Sequence, residues 1–139
     1  MSVIVTDKGF EAEHWIHGFL APAQLAANTD APATAVDLAS DADLSALKER
    51  LGEIDLIRID FPSFADGRGF TLARNLRRMG FQGRLRARGH VIADQYAMAR
   101  RSGFDEVEIS DDLARRQPQE QWLARADWRA HDYQARLRA

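Results

Sequence analysis

The chain has 139 residues, a formal net charge of −2, 45% hydrophobic and 29% charged residues, and no cysteine. That length fits a single α/β domain over 1–139 with one ordinary core, and the composition fits neither disorder, collagen nor coiled coil. The lack of cysteine excludes disulfides, thiolate metal sites, cysteine nucleophiles and a self-contained cysteine-ligated iron–sulfur cluster. No run reaches about 18 apolar residues, and residues 1–10 lack the apolar core of a secretion signal, so a cytoplasmic protein with no membrane partner is expected.

In chain order, Val3-Ile4-Val5 is a short β-branched run, read as a strand or as part of an irregular N-terminal arm over 1–33. Pro22 and Pro32 interrupt that arm, which leaves room for a short helix near Ala23 to Ala27. Ala35 to Leu38 predicts a buried strand. Asp41 or Asp43 is placed to cap a helix through Leu44, Leu47 and Leu51. Asp55 to Phe61 alternates as a strand does and is stopped by Pro62. A glycine-containing loop then leads to a helix from about Thr71 to Met79, closed by Gly80. Arg84 to Arg88 is the next strand. A helix over about Val91 to Arg101 follows, with Gly103 as a left-handed cap. Phe104 to Ile109 is another strand, and Asp111 or Asp112 opens a helix that Pro118 kinks or splits. Trp122 and Leu123 are expected to be buried. The tail to Ala139 is polar, with Trp128 and Tyr133. Strands alternating with helices over short links predict an α/β fold: an open, mainly parallel four- to five-stranded sheet with flanking helices, Rossmann-like and three-layered.

Charge is segregated along the chain. Residues 1–57 hold ten acidic side chains against three basic ones, whereas residues 58–101 hold ten arginines and three aspartates. Two explanations stand: internal arginine–carboxylate pairs between the segments, or an anion or acidic-partner site on the middle segment. Ligands of open parallel sheets sit beyond the carboxyl ends of the strands. The first candidate there is the loop Asp66, Gly67, Arg68 and Gly69, where glycines permit close approach, a helix begins, and Arg68 adds a fork. Arg74, Arg77 and Arg78 share one side of the next helix. Arg84, Arg86 and Arg88 share one strand face, which points to an edge strand protected by charge or to a face open to a cleft. His90 and Asp94 are the acid–base candidates, so a catalytic residue is not assigned beyond them. His14 and His17 lack a clear third ligand, so no metal site is expected. The slightly acidic balance and the absence of a recognised binding motif argue against nucleic acid.

The run Asp60-Phe61-Pro62-Ser63-Phe64-Ala65-Asp66-Gly67-Arg68-Gly69-Phe70-Thr71 is followed by Ala73-Arg74, Leu76-Arg77, Gly83-Arg84-Leu85-Arg86-Ala87, Asp94-Gln95 and Arg101-Ser102-Gly103-Phe104-Asp105. This series resembles the bacterial domain of unknown function 934 family, and Tyr133-Gln134 resembles its tail. The likeness covers about residues 45–134 and is strongest over 60–105. It implies a place in assimilatory sulfite reduction, because genes of such members accompany those of sulfite reductase; members are commonly named probable oxidoreductases. This sequence has His90 where the family has an acid, and Ser102 where it has a cysteine, so redox chemistry through that thiol is absent. No flavin, nicotinamide, sirohaem or iron–sulfur motif is recognisable, and no cofactor is expected.

Two functions are therefore carried forward. One is an accessory protein of sulfate/sulfite reduction that binds sulfite reductase or another sulfur-assimilation protein, with a homodimer as a further candidate assembly. The other is a small enzyme or oxyanion-binding module built on Asp66 to Gly69 with Arg86 or Arg88.

Overall fold

Alternation along the strands gives this sheet two unlike faces. A computed structural model describes residues 2–27 and 33–129; Pro32 and the Tyr133-Gln134 tail lie outside those residues. The strands are β1 (Ser2–Thr6), β2 (Gly9–Glu11), β3 (Ala35–Leu38), β4 (Leu56–Phe61), β5 (Arg84–Gly89) and β6 (Glu106–Ser110). They form one six-stranded sheet in the order β2-β1-β6-β5-β4-β3. β3 to β6 run parallel, and β1 and β2 form an antiparallel hairpin on the β6 side. The expected open, mainly parallel α/β sheet is present. The extra strand comes from residues 2–11: instead of belonging to an irregular arm, they form the β1–β2 hairpin. A single parallel bridge from Leu20 to Val36 extends the sheet at the β3 edge.

The helices are α1 (Arg68–Arg78), α2 (Tyr96–Ser102), α3 (Asp111–Arg116) and α4 (Gln119–Leu123). α1 starts at Arg68, earlier than the expected Thr71. The expected helix through Leu44 and Leu51 is instead two 3-10 turns, Leu44–Leu47 and Leu51–Glu53. Asp43 does cap the first, its carboxylate accepting from Ser45 N at 3.0 Å, and Leu44, Leu47 and Leu51 are buried. So short a segment gains too few α-helical bonds to offset nucleation. The helix expected from Val91 is a 3-10 turn, Ala93–Gln95, that runs into α2. Gly103 caps α2 at φ +116°, as expected. α3 opens at Asp111, as expected, and Ser110 caps it, its hydroxyl accepting from Leu113 N at 3.1 Å. Pro118 divides α3 from α4. Trp122 is 1% exposed, but Leu123 is 37% exposed because it turns away from the core that Trp122 fills.

On one face of the sheet Val5, Val36, Leu38, Ile57, Ile59, Phe61, Leu85, Ala87, Val107 and Ile109 join Phe70, Ala73 and Leu76 of α1 and Tyr96 and Ala99 of α2 in one core. Each large apolar side chain buried there contributes about 1.5–3 kcal/mol. Gly69 is part of this packing: a Cβ on it would lie 2.4 Å from the Phe61 ring, so α1 approaches β4 only because residue 69 has no side chain. The other face carries Asp37, Arg58, Asp60, Arg84, Arg86, Arg88, Glu106 and Glu108, which the strand registers place in adjoining rows. Residues 12–19 cross this second face between β2 and the Leu20 bridge, pinned by Glu13 on Arg86 and by Phe19, whose ring lies 3.5 Å from the Arg58 guanidinium carbon.

Candidate functional site

β5 is not an edge strand. It lies between β4 and β6, and each of its arginines reaches a carboxylate of β6 across the sheet. Arg86 is fully buried. It donates to Glu106 at 2.5 Å, to Glu108 at 2.8 Å and to both carboxylate oxygens of Glu13. Arg58 forks onto Asp37 at 2.6 and 2.7 Å and reaches Glu108 at 3.1 Å. Arg84 donates to Glu106 at 2.9 Å. Burying a guanidinium alone would be prohibitive; with carboxylates on every side the network is tolerated, and each member becomes costly to remove. Burial by itself would weaken the Arg86 charge, but Glu13 and Glu106 outweigh it and hold the group more firmly cationic than usual. The segregated charges therefore do form internal pairs, Glu13–Arg86, Asp37–Arg58 and Asp7–Arg100 among them.

The Asp66 to Gly69 loop is also occupied by its own groups. Arg68 donates to Asp66 through Nε at 3.0 Å and through Nη2 at 2.8 Å, and to Ser40 Oγ at 2.9 Å. Those bonds from Arg68, its side chain first and its backbone N–H second, hold the Asp66 carboxyl well below the usual carboxylate range. Gly67 precedes α1 and makes no side-chain cap. Arg77 turns inward and uses all five donors: Gly103 O twice, Phe81 O, Gly83 O and Asp105. It ties the end of α1 to the end of α2 and the turn before β5. Arg74 and Arg78 point outward and make no ion pair among the described residues. Arg78 borders a shallow hollow of about 450 Å³ lined by Ala42, Leu44, Leu72 and Met79.

Arg88 and His90 meet at the C-terminal ends of the parallel strands. They line a groove of about 560 Å³ with Asp60, Gly89, Glu108 and Ser110. The His90 backbone N–H donates to Phe61 O at 3.0 Å, its Nδ1 lies 3.2 Å from the same oxygen, and its ring stands edge-on to Phe64 at 5.0 Å. Asp94 is not part of this groove; it pairs with Arg125. The sequence reading missed Asp60, Glu108 and Ser110 as neighbours of Arg88. The available signal was the alternation of Arg58 and Asp60 in β4, which sets Asp60 on the arginine side. Among the described residues, no group of three or more His, Asp or Glu side chains is placed to hold a metal ion, and no helix is long and apolar enough to cross a membrane.

The fold and site define an α/β protein with a charged sheet face and a polar groove at its strand ends. The family described as bacterial protein of unknown function (DUF934) matches residues 35–139, and the chain belongs to it. The match begins at β3, so the β1–β2 hairpin and residues 12–19 fall before it. No curated protein matches the chain.

Proposed function

We propose that this chain is an accessory protein of assimilatory sulfate/sulfite reduction. It docks on sulfite reductase or a neighbouring enzyme through the outer face of α1 and supplies no redox centre of its own. The pathway comes from the family resemblance. The observation that carries the docking surface is the contrast among the arginines: Arg58, Arg77, Arg84 and Arg86 are held by partners within the fold, whereas Arg74 and Arg78 are exposed and unpaired among the described residues. Arg78 lines the hollow of Leu44, Leu72 and Met79, which Asp43 also borders, and Arg74 lies one turn before Arg78 on α1; the two cations and the apolar side chains supply the charged rim and apolar centre of an interface for an acidic protein surface.

The test is a binding titration of the purified chain against sulfite reductase from the same organism, at low and at moderate salt. The expected outcome is binding that weakens with salt and falls by about tenfold in an Arg74→Glu/Arg78→Glu variant whose melting temperature is unchanged. Binding indifferent to both salt and charge reversal would remove α1 from the interface. No binding at either salt would sink the accessory role on sulfite reductase.

A further inference from the structure

Asp60, Arg88 and Glu108 are register partners on three adjacent parallel strands and stand side by side on one face. Their charges are unequally matched. Glu108 is shared by Arg86 at 2.8 Å, Arg58 at 3.1 Å and Arg88 at 3.3 Å. Arg88 thus reaches, through Nε alone, a carboxylate already committed to two other cations. Its Nη1 and Nη2 have no partner among the described residues, and its side chain is 50% exposed. Asp60, beside it on β4, makes no hydrogen bond or ion pair among the described residues. Both line one groove, so an unpaired acceptor and an open donor fork face the same space, which suits a molecule carrying both a donor and an acceptor.

His90 completes the arrangement. A carbonyl only accepts, so the contact with Phe61 O places the ring proton on Nδ1 and leaves the Nε2 lone pair free in the neutral ring. Gly89 sets the turn that brings His90 there: its φ is +108°, and a Cβ on it would lie 2.8 Å from Phe61 O. The groove's volume of about 560 Å³ is that of a small-molecule site, and it lies where open parallel sheets bind ligands.

We propose that this groove binds a small metabolite carrying a phosphate or sulfate group together with a hydroxyl. The open fork of Arg88 takes the oxyanion; Asp60 and Nε2 of His90 accept from the hydroxyl. Sulfate carries no hydroxyl near neutral pH, and inorganic phosphate carries one only on the oxyanion itself, so neither offers Asp60 and His90 a separate hydroxyl while Arg88 holds the oxyanion, and the hydroxylated ester is preferred. The site is separate from the outer face of α1 and does not depend on docking there.

The full chain, isotopically labelled, is titrated with glycerol 3-phosphate, inorganic phosphate and inorganic sulfate while the backbone amide signals of Gly89, His90 and Ser110 are followed. Glycerol 3-phosphate is expected to bind about tenfold more tightly than either inorganic anion, and Arg88→Gln to weaken it by about tenfold. Asp60→Asn is expected to strengthen inorganic phosphate and weaken the ester, so that the preference shrinks. Arg74→Gln leaves all three titrations unchanged. Equal affinity for ester and inorganic anion, shifts centred on α1 instead of the groove, or no shift at roughly 10 mM ligand would each overturn the proposal. These outcomes are read on the wild-type chain, so they hold even if a groove variant fails to fold.

Discussion

Arg86 shows how one residue type can be hidden in plain sight. It reads as a surface cation in RLRAR, yet it is the fully buried centre of a network with Glu13, Glu106 and Glu108. Replacing it leaves three carboxylates facing one another. Arg86→Ala is therefore expected to lower unfolding free energy by about 3–5 kcal/mol in a urea titration. Glu13→Gln is expected to cost less, about 1 kcal/mol, because Glu13 is partly exposed and its loss leaves Arg86 with two partners. The sequence made the arginines visible but not their partners, since Glu13 and Arg86 are paired only by the course of residues 12–19 across the sheet. The groove was half legible for the same reason: Arg88 and His90 follow from strand-end logic, whereas Asp60 and Glu108 become their neighbours only through strand register.

Elements meet in this fold at positions where side-chain geometry allows little substitution. Gly69→Ala would press a methyl into the Phe61 ring and should cost about 1–3 kcal/mol or more through overpacking of α1 on β4. Gly67→Ala, with φ −90° and its new Cβ 4.0 Å from the Phe70 ring, should change stability by less than about 0.5 kcal/mol. The pair separates a glycine kept for packing from one that merely lies in the loop. Arg77→Lys should also fail as a conservative change: a single ammonium cannot reach Gly103, Phe81, Gly83 and Asp105 together, and a loss of about 2–4 kcal/mol in the same titration is expected. The strands β3 to β6 and the caps at Asp43 and Gly103 were legible from alternation and local chemistry. β2 was not, because three residues of Gly-Phe-Glu carry no period; its pairing comes from the turn after β1. The start of α1 was obscured because Gly67 and Gly69 read as loop, when one of them is inside the helix.

At the scale of the whole molecule, acid should act through the pairs that tie distant parts of the chain together. Burial alone would raise the carboxyls of Asp7 and Glu13. Hydrogen bonds from Tyr96, Arg100 and Trp128 to Asp7, and from Arg86 and the Trp15 backbone to Glu13, outweigh it and bring both below their ordinary values of 3.8 and 4.5. Depressed folded-state values mean that the stabilisation is fully present above those ordinary values and is lost as pH falls through the lower, folded ones. Melting temperature is thus expected to be level near neutrality and to fall below about pH 4.5, less steeply in Asp7→Asn, as thermal unfolding across that range would register. The hairpin that carries Asp7 has a consequence of another kind. β1 hydrogen-bonds to β6 from Ser2 opposite Ser110 to Val5 opposite Val107, so the first of the six described strands to be synthesised has its seat beside the sixth. During synthesis β3, β4 and β5 can assemble in the order in which they emerge, and β1 can pair with β2 at once, while the other edge of Ser2–Thr6 must wait unpaired until β6 has left the exit tunnel. From the synthesis of β1 to that of β6 the nascent chain therefore carries a β-branched edge in search of a partner, the interval in which a chaperone has most to protect.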